Sequence, residues 1–373
     1  MKKIVFITGT RADFGKQKQI IKKISKLKNL EVKIFCTGMH MLKKYGETHM
    51  EVDLLKNIEI FKFINQNDSD QMDHILAKTV SGLSDYISEM KPDFIVIHGD
   101  RVEALAGAIV GSLNNIKTIH IEGGEVSGTI DESIRHAVSK LSHIHLTSTT
   151  EASERLKNMG ENPNSVFTIG SPDIDIMNSK ELPSLTEVKN YYNINFKNYG
   201  ILIYHPVTTD TKNIEKYTNI LIKTLIKSKK NYVVIFPNND PGNKIIIKKY
   251  NEILKNNRKF IVFPSMRFEY FLTLLKNSSL IIGNSSVGIR ESAHYGVGSI
   301  DIGSRQNSRQ RCSSVINVKY NSKKIITFIN EMYSKKFKPN KLYGDGMSSA
   351  KFLELVKNNK FDKVKIQKVF FNK

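Results

Sequence analysis

The chain has 373 residues, 40% of them hydrophobic, and a formal net charge of +21. This length favours two domains. No apolar run reaches the ~18 residues of a membrane span. The two cysteines, Cys36 and Cys312, are too few for a zinc site or a disulfide framework. The lysines are scattered and no nucleic-acid-binding motif accompanies them, which favours a solvated surface over nucleic-acid binding. Gly9 and Arg11 interrupt the first apolar run too early for a signal peptide, so we expect a cytoplasmic protein.

The first half alternates short apolar runs with helical patterns. Such runs are typical of buried parallel strands, and we predict strands at Lys2–Gly9, Glu31–Gly38, Ile58–Ile64, Phe94–Ile97, Thr118–Ile121, His143–Thr147 and Val166–Ile169. We predict helices at Lys16–Leu27, Asp70–Met90, Val102–Leu113 and Glu151–Met159. The alternation indicates a doubly wound, Rossmann-like α/β domain over residues 1–172.

Three carboxylates stand at the ends of two neighbouring predicted strands or at a helix start. Asp100 follows the strand in HGDR, Glu122 follows the next strand before two glycines, and Asp131 stands where a helix through Ile134 begins. Ligands of open α/β sheets bind at that edge, and neighbouring like charges raise one pKa and make an acid/base set. The alternative is structural: Asp131 is a helix N-cap and Glu122 belongs to an ordinary turn.

Arginine is rare, and half of the ten arginines lie in or beside Gly-rich turns. These are Arg11, Arg101, Arg135, Arg290 and Arg305. Arginine suits bidentate recognition of phosphate or carboxylate. The turn from Thr10 to Gly15 lacks the GxGxxG dinucleotide fingerprint, but a tight turn at a helix start with an arginine favours an anion site.

The second half repeats the pattern. We predict a helical, polar linker over residues 173–198. Its sequence Asp173-Ile-Asp175 resembles a metal-binding DxD but offers too few oxygen ligands for a hard metal. A second Rossmann-like domain is predicted over residues 199–345, with strands at 201–206, Tyr232–Phe236, Phe260–Phe263, Leu280–Gly283 and Ser299–Ile302 and helices at Thr211–Ile226, Phe268–Leu275 and Ile325–Tyr333. Residues 346–373 are predicted to form a C-terminal helix and tail that pack on the first domain. Two such domains are expected to enclose a cleft.

Polar residues at the strand ends of the second half suit a nucleoside diphosphate. Ser285 and Ser286 precede a predicted helix and offer hydroxyl and N–H groups to phosphate. Glu291 is placed to accept from sugar hydroxyls, His205 to act as an acid or phosphate contact, and Arg305 to complete a diphosphate clamp. A serine N-cap, a solvated glutamate and a satisfied strand-end histidine are the structural alternatives. Spacing alone names neither the base nor the sugar.

Nine motifs in order resemble those of the hydrolysing UDP-N-acetylglucosamine 2-epimerases over residues 4–311: TGTRADFGK, GMHM, HGDR, IEGGEVSGTIDESIRHA, HPVTTD, FPNND, RFEYF, GNSSVGIRE and GSRQNSRQ. The resemblance implies a GT-B-like fold with UDP held mostly by the C-terminal domain. It implies conversion of UDP-GlcNAc and water to ManNAc and UDP, by anti elimination to 2-acetamidoglucal and then hydration, without metal or nicotinamide. Gly15 stands where some relatives have serine, so that side-chain contact is absent.

The resemblance also assigns roles. Asp100, Glu122 and Asp131 become the acid/base carboxylates, with Glu122 or Asp131 removing the C2 proton and Asp100 serving hydration. His205 stabilises or protonates the leaving phosphate. The UDP-binding set is Arg11, Ser285, Ser286, Glu291 and Arg305, with Arg101 and His136 as further substrate-binding candidates.

The substrate has two candidates within the resemblance. A sister branch acts on UDP-N,N′-diacetylbacillosamine in legionaminic acid biosynthesis, but TGMHMLKKYG resembles the sialic-acid branch more, which favours UDP-GlcNAc and the first step of sialic acid biosynthesis. A GT-B glycosyltransferase is the rival enzyme class; it needs an acceptor, and three clustered carboxylates exceed its requirements. We further expect a homodimer.

Overall fold

The computed structural model describes residues 1–67, 69–127, 130–307, 309–333 and 335–372. Gly128 and Thr129 of the motif IEGGEVSGTIDESIRHA and Ser308 of GSRQNSRQ lie outside the described residues. The chain forms two compact units. The first comprises Met1–Glu125, Asp131–Asn178 and Leu342–Lys373, and the second comprises Val126–Ile130 and Ser179–Lys341. Within the described ranges, no helix combines the length and the apolar character needed to cross a membrane.

The first unit is built on a parallel sheet. Its strands are β1 (Lys2–Thr8), β2 (Leu30–Cys36), β3 (Glu59–Lys62), β4 (Phe94–His98), β5 (Lys117–Ile121), β6 (Ile144–Thr147) and β7 (Val166–Thr168). Among the described residues these seven strands follow the order β3-β2-β1-β4-β5-β6-β7. The strand order reverses between β1 and β4, and crevices at such a switch point are the usual ligand sites of doubly wound sheets.

Helices cover both faces of this sheet. They are α1 (Arg11–Ile24), α2 (His49–Val52), α3 (Met72–Met90), α4 (Val102–Leu113), α5 (Ile130–Leu141), α6 (Thr150–Asn158) and α7 (Pro172–Met177). Alternate residues of β1 enter two cores: Ile4 and Phe6 join one, Val5 and Ile7 the other. Burial on both faces explains why the strands are continuously apolar, and it confirms the predicted doubly wound class.

Helix α1 begins five residues earlier than predicted. Thr10 is its N-cap: the Thr10 hydroxyl accepts from the Asp13 N–H at 3.1 Å, and the Asp13 side chain accepts from the Thr10 N–H. This reciprocal capping box satisfies two donors of the first turn. The segment predicted as a turn up to Gly15 is therefore mostly helix.

The second unit holds the other parallel sheet. Its strands are β8 (Gly200–Ile203), β9 (Tyr232–Ile235), β10 (Phe260–Phe263), β11 (Leu280–Gly283), β12 (Ser299–Ile302) and β13 (Val315–Val318). Its helices are α8 (Leu185–Tyr191), α9 (Ile214–Lys227), α10 (Asn243–Lys249), α11 (Phe268–Lys276), α12 (Glu291–His294) and α13 (Ser322–Met332). In the part of the chain that the structure describes, the six strands follow the order β10-β9-β8-β11-β12-β13. Strand β13 was not predicted, because its polar Asn317 interrupts a very short apolar run.

The last helix returns to the first unit. Helix α14 (Ser348–Lys357) supplies Phe352, which is fully buried in the same core as Ile4 and Phe6, and Phe361 after it is also buried there. Burying a phenylalanine of this kind stabilises a fold by roughly 1.5–3 kcal/mol. Residues from the end of the chain therefore complete the first core.

Candidate active site

Two of the predicted carboxylates leave the same edge of the first sheet. Strands β4 and β5 pair in parallel with His98 opposite Ile121, and the Gly99 N–H donates to the Ile121 carbonyl at 3.0 Å. Asp100 therefore follows β4 and Glu122 follows β5 on neighbouring turns. The predicted strand ends are confirmed, and the edge is the one at which ligands of such sheets bind.

Glu122 is a buried carboxylate on a strained backbone. Its φ is +64°, in the left-handed region that disfavours non-glycine residues, at a cost on the order of 1–3 kcal/mol. The side chain of Ser171 donates to Oε1 at 2.6 Å, and Oε2 lies 3.0 Å from His98 Nε2 and 3.4 Å from Lys16 Nζ. Only 4% of the residue is exposed. Three partners thus fix both oxygens at one position above the sheet.

The same network extends into α7. Lys16 Nζ also lies 2.9 Å from Asp173 Oδ2, and Asp173 is buried. The Asp175 carboxylate accepts from the Ser348 and Ser349 N–H groups at 2.8 and 2.7 Å, so it caps the start of α14. Both carboxylates of the DxD-like sequence therefore have structural partners. No metal-binding group of three or more His, Cys, Asp or Glu occurs in the described ranges.

Asp100 is held by an ion pair with α5. Its carboxylate binds the Arg135 guanidinium, and Arg135 also approaches the Glu125 carbonyl at 3.4 Å. Arg135 is 3% exposed, whereas a quarter of the Asp100 side chain is open to solvent. Asp131 lies four residues before Arg135 in the first turn of α5, so the two project from one face of the helix. The predicted helix start at Asp131 is confirmed.

A neutral histidine braces the turn that carries Asp100. His120 Nε2 lies 2.8 Å from the Gly99 carbonyl, and its Nδ1 lies 3.2 Å from the Ser139 hydroxyl of α5. Burial lowers the pKa of His120 to about 3, so the ring stays uncharged at neutral pH. Its contacts join the β4–α4 turn to α5, and hence the segments that carry Asp100 and Asp131.

The remaining predicted residues of the first unit have local partners. Arg11 pairs with Glu51 at 3.0 Å, Arg101 Nε lies 3.4 Å from the buried Glu103, and His136 lies 3.4 Å from Glu132.

The α1 start, which we predicted as an anion site, is already occupied by the carboxyl group of Asp13. The Asp13 carboxylate accepts from the Gly9 N–H at 3.0 Å and the Thr10 N–H at 3.2 Å. Burial raises the pKa of Asp13, and hydrogen bonds from the Thr8 hydroxyl and the Gly9 N–H oppose the rise.

In the second unit the polar edge is organised around Asn284. Its side chain accepts from the His205 N–H at 2.7 Å and donates to the His205 carbonyl at 2.9 Å. Its backbone carbonyl accepts from Gln306 Nε2 at 2.9 Å and lies 3.4 Å from Arg305 Nη1. Arg305 Nη2 is 3.9 Å from Asp240. His205 and Arg305 are thereby both held by one buried residue, His205 by the side chain of Asn284 and Arg305 by its backbone carbonyl.

Gly283 makes this arrangement possible. Its φ is +137°, and a Cβ atom there would lie 1.9 Å from the Ile203 carbonyl oxygen. Strands β8 and β11 approach so closely at this point that only glycine fits. The Asn284 N–H then donates to the same carbonyl at 3.1 Å.

Ser285, Ser286 and Glu291 lie in the segment that follows Asn284 in the chain. Ser285 caps a short 3₁₀ turn at Ser286–Gly288, with its hydroxyl accepting from the Val287 N–H at 3.4 Å. Glu291, in the four-residue α12, is 2% exposed. The alternative of a glutamate on a solvated face is therefore wrong.

Sequence reasoning missed several residues of both edges. Lys16 and His98 lie inside the motifs TGTRADFGK and HGDR, so a search for partners of Glu122 within those motifs finds them. Ser171 has no sequence signal that we can identify. Asn284 and Gln306 lie beside the predicted residues Ser285 and Arg305, but no local pattern indicates that their side-chain amides connect separate loops.

Known proteins resemble this chain along its whole length. The sequence profile of the UDP-N-acetylglucosamine 2-epimerase family matches residues 22–357. A UDP-N-acetylglucosamine 2-epimerase of Neisseria meningitidis is 46% identical, covering 100% of this chain and 99% of the relative. A hydrolysing UDP-N,N′-diacetylbacillosamine 2-epimerase of Legionella pneumophila is 33% identical, covering 96% of each chain.

A solved structure shares the fold. The UDP-GlcNAc 2-epimerase of Methanocaldococcus jannaschii, in complex with UDP-GlcNAc and UDP, superposes with a TM-score of 0.81 at 23% identity and covers 95% of this chain and 99% of its own. This likeness confirms the predicted GT-B-like class of two Rossmann-like domains. Together with the profile match and the 46% identity, it leads to one assignment: the chain belongs to the UDP-N-acetylglucosamine 2-epimerase family.

Proposed function

We propose that this protein is a hydrolysing UDP-GlcNAc 2-epimerase that converts UDP-GlcNAc and water to ManNAc and UDP, the first step of sialic acid biosynthesis. The observation that carries the proposal is the set of carboxylates at the edge of the first sheet, in a chain of this family. Asp100 and Glu122 follow paired strands, and Asp131 stands one helical turn from the arginine that binds Asp100.

The reaction needs a base for the C2 proton and a carboxyl group for the hydration step, and positioned acid/base groups typically contribute about 10²–10⁴-fold in rate. We assign proton removal to Glu122 or Asp131 and hydration to Asp100. The contacts of Glu122 with Ser171, His98 and Lys16 favour its ionised form, since each can donate to a carboxylate. The partial exposure of Asp100 suits a group that handles water.

Expulsion of UDP needs charge stabilisation at the diphosphate. We assign this to His205 and Arg305, and we assign UDP binding to Arg11, Ser285, Ser286 and Glu291. Arg101 and His136 are proposed as further substrate contacts. In the second unit, the support is the shared framework of His205 and Arg305 on Asn284.

A second substrate has specific support. The Legionella relative is 33% identical along 96% of each chain and carries the name of a hydrolysing UDP-N,N′-diacetylbacillosamine 2-epimerase. The Neisseria relative at 46% identity is named for UDP-N-acetylglucosamine, and we therefore place UDP-GlcNAc first. Such sugars differ by substituents that a few pocket contacts discriminate.

Mass-spectrometric product analysis with both UDP-sugars in heavy-oxygen water tests the proposal. We expect UDP and a free N-acetylmannosamine-type sugar that carries one heavy oxygen. Release of UDP without any acceptor also separates this activity from glycosyl transfer. UDP-sugar that stays intact, or a product that retains UDP, would contradict the hydrolysing reaction. We also propose a cytoplasmic homodimer, which light scattering and cell fractionation test.

A further inference from the structure

The hydrogen bonds of His205 define its protonation. His205 follows β8, and the backbone N–H of Asn238, after β9, donates to its Nδ1 at 3.0 Å. A backbone N–H only donates, so Nδ1 must be the accepting, unprotonated nitrogen. The ring proton therefore lies on Nε2 and the imidazole is neutral. An imidazolium would also carry a proton on Nδ1, and this N–H would face the Asn238 N–H, donor against donor.

The backbone of His205 is fixed as firmly as its ring. The last backbone pair of β8 and β11 joins Ile203 to Gly283. Beyond it, the side-chain amide of Asn284 makes both bonds to His205 that a strand residue would make, at 2.7 and 2.9 Å. Asn284 is fully buried, so this pair of bonds is shielded from water. The position of Nε2 follows from these restraints.

Two charged groups, Arg305 and Asp240, stand beside this framework. Arg305, after β12, approaches the Asn284 carbonyl at 3.4 Å, and Asp240, after β9, lies 3.9 Å from Arg305. The guanidinium disfavours a second positive charge nearby, and the Asp240 carboxylate, which accepts from the Asn238 side chain at 2.5 Å, offsets part of that effect. A diphosphate would meet a cation and a neutral N–H donor here.

We propose that His205 acts as a neutral Nε2–H hydrogen-bond donor to the departing diphosphate and does not transfer a proton, and that Asn284 is the positioning residue that holds it in this role. The inference rests on the proposed function. In the elimination, the C2–H and C1–O bonds break and a C1=C2 bond forms. The C2 proton goes to a carboxylate of the first unit, and the C1–O electron pair stays on the diphosphate. His205 keeps its proton, since losing it would leave an imidazolate.

Two substitutions of His205 distinguish a hydrogen-bond donor from a general acid that transfers its proton. The glutamine side chain has a carbonyl that can accept from the Asn238 N–H and an amide that can donate near the Nε2 position. We expect His205→Gln to keep kcat within about tenfold of wild type and His205→Ala to lose about 10²–10³-fold, as for removal of one preorganised donor. Equal loss in both variants would overturn the proposal. The control is His74→Gln, at an exposed histidine of the first unit.

Asn284→Asp tests the positioning role. Aspartate still accepts from the His205 N–H but cannot donate to its carbonyl. We expect kcat to fall about 10–100-fold while KM changes less than threefold, because misplacement affects the transition state more than binding. A rise in KM with kcat unchanged would reject the positioning role.

A spectroscopic measurement needs no turnover. In ¹⁵N-histidine spectra of the wild-type protein at neutral pH, the resonances lost in His205→Gln should show a proton on Nε2 and none on Nδ1, before and after UDP is added. An imidazolium or Nδ1–H pattern would refute the inference. If the wild-type protein leaves UDP-sugars intact, the proposed function fails even where this signature is found, so the two failures are distinguishable.

Discussion

The carboxyl edges of the two sheets are built from different chemistry. At the first edge, carboxylates meet charged partners: Asp100 binds Arg135, and Glu122 contacts Lys16. At the second edge, the uncharged amides of Asn284 and Gln306 connect the loops. The first edge pairs its acids with cationic side chains, whereas the second positions a histidine and an arginine through groups that add no charge of their own.

The difference predicts how each edge responds to substitution. Removal of one partner from a buried ion pair leaves a charge without compensation, which costs several kcal/mol. An amide bond contributes about 1 kcal/mol net and sets geometry more than charge. Substitutions at the first edge should therefore affect proton transfer and folding, and those at the second edge should affect anion affinity and alignment.

The largest effect is expected for Asp131→Asn. The amide cannot take or give the proton, so turnover should fall about 10²–10⁴-fold while UDP affinity stays within a few-fold. NMR turnover assays and calorimetry with UDP measure the two quantities. Glu154→Gln, at an exposed glutamate of α6, is the control and should keep most activity. Normal turnover in Asp131→Asn would show that this residue takes no part in proton transfer. It would also weaken the proposed difference between the carboxyl edges of the two sheets.

Arg135→Met should lower the free energy of unfolding by about 3–5 kcal/mol, because it leaves Asp100 without its buried partner. Urea unfolding followed by circular dichroism measures the change. Lys157→Met breaks the more exposed pair with Glu154 and should change stability by less than about 1 kcal/mol. Similar losses in both variants would show that burial does not distinguish these pairs.

Glu161 is a buried carboxylate of the first unit that lies outside the sheet edge and also pairs with charged side chains. Burial opposes its ionisation, but His145, Lys368 and Lys140 outweigh burial and lower its pKa to about 2. Because the pKa of Glu161 is lower in the folded protein, its ionisation stabilises the fold at pH values above about 4.5, the pKa of the unfolded state. This contribution disappears as the pH falls towards 2. Glu161→Gln should therefore cost about 2–3 kcal/mol at pH 7 and progressively less below pH 4.5. Unfolding curves at several pH values measure this difference, and a constant difference would contradict the ion-pair account.

Arg305→Ala should weaken UDP binding by about 1.5–3 kcal/mol, the range for a charge-assisted contact. Isothermal titration calorimetry measures the affinity. Arg258→Ala, at an exposed arginine of the same unit, controls for net charge and should change affinity by less than about 0.5 kcal/mol. If both variants bind UDP equally well, Arg305 does not belong to the anion site.

Most strands of both sheets were predictable, because buried parallel strands are short apolar runs with clear ends. The strand that contains Asn317 was missed, since one polar residue in a four-residue strand removes the signal. Helix α1 was predicted too late because Gly15 suggested a turn, while the capping pair of Thr10 and Asp13 determines the start.

The candidate site was predictable where a residue directly follows a strand, as with Asp100, Glu122 and His205. The partners of these residues come from distant positions: Ser171 is 49 residues from Glu122, and Asn284 is 79 residues from His205. Such contacts depend on tertiary packing, which single-sequence patterns do not contain. The left-handed backbone of Glu122 is likewise set by surrounding structure and not by its residue type.

The return of α14 to the first unit affects how the protein is made. Phe352 and Phe361 fill the core under β1, so a ribosome must translate past residue 361 before that core closes. The main part of the second unit is one continuous stretch, Ser179–Lys341, and its other piece, Val126–Ile130, is made earlier, so this unit does not depend on residues made after Lys341. Domains usually fold during synthesis from the amino terminus onward. Here the later-made unit has its residues together first, and a premature stop codon near residue 345 would damage the half that carries the carboxylates.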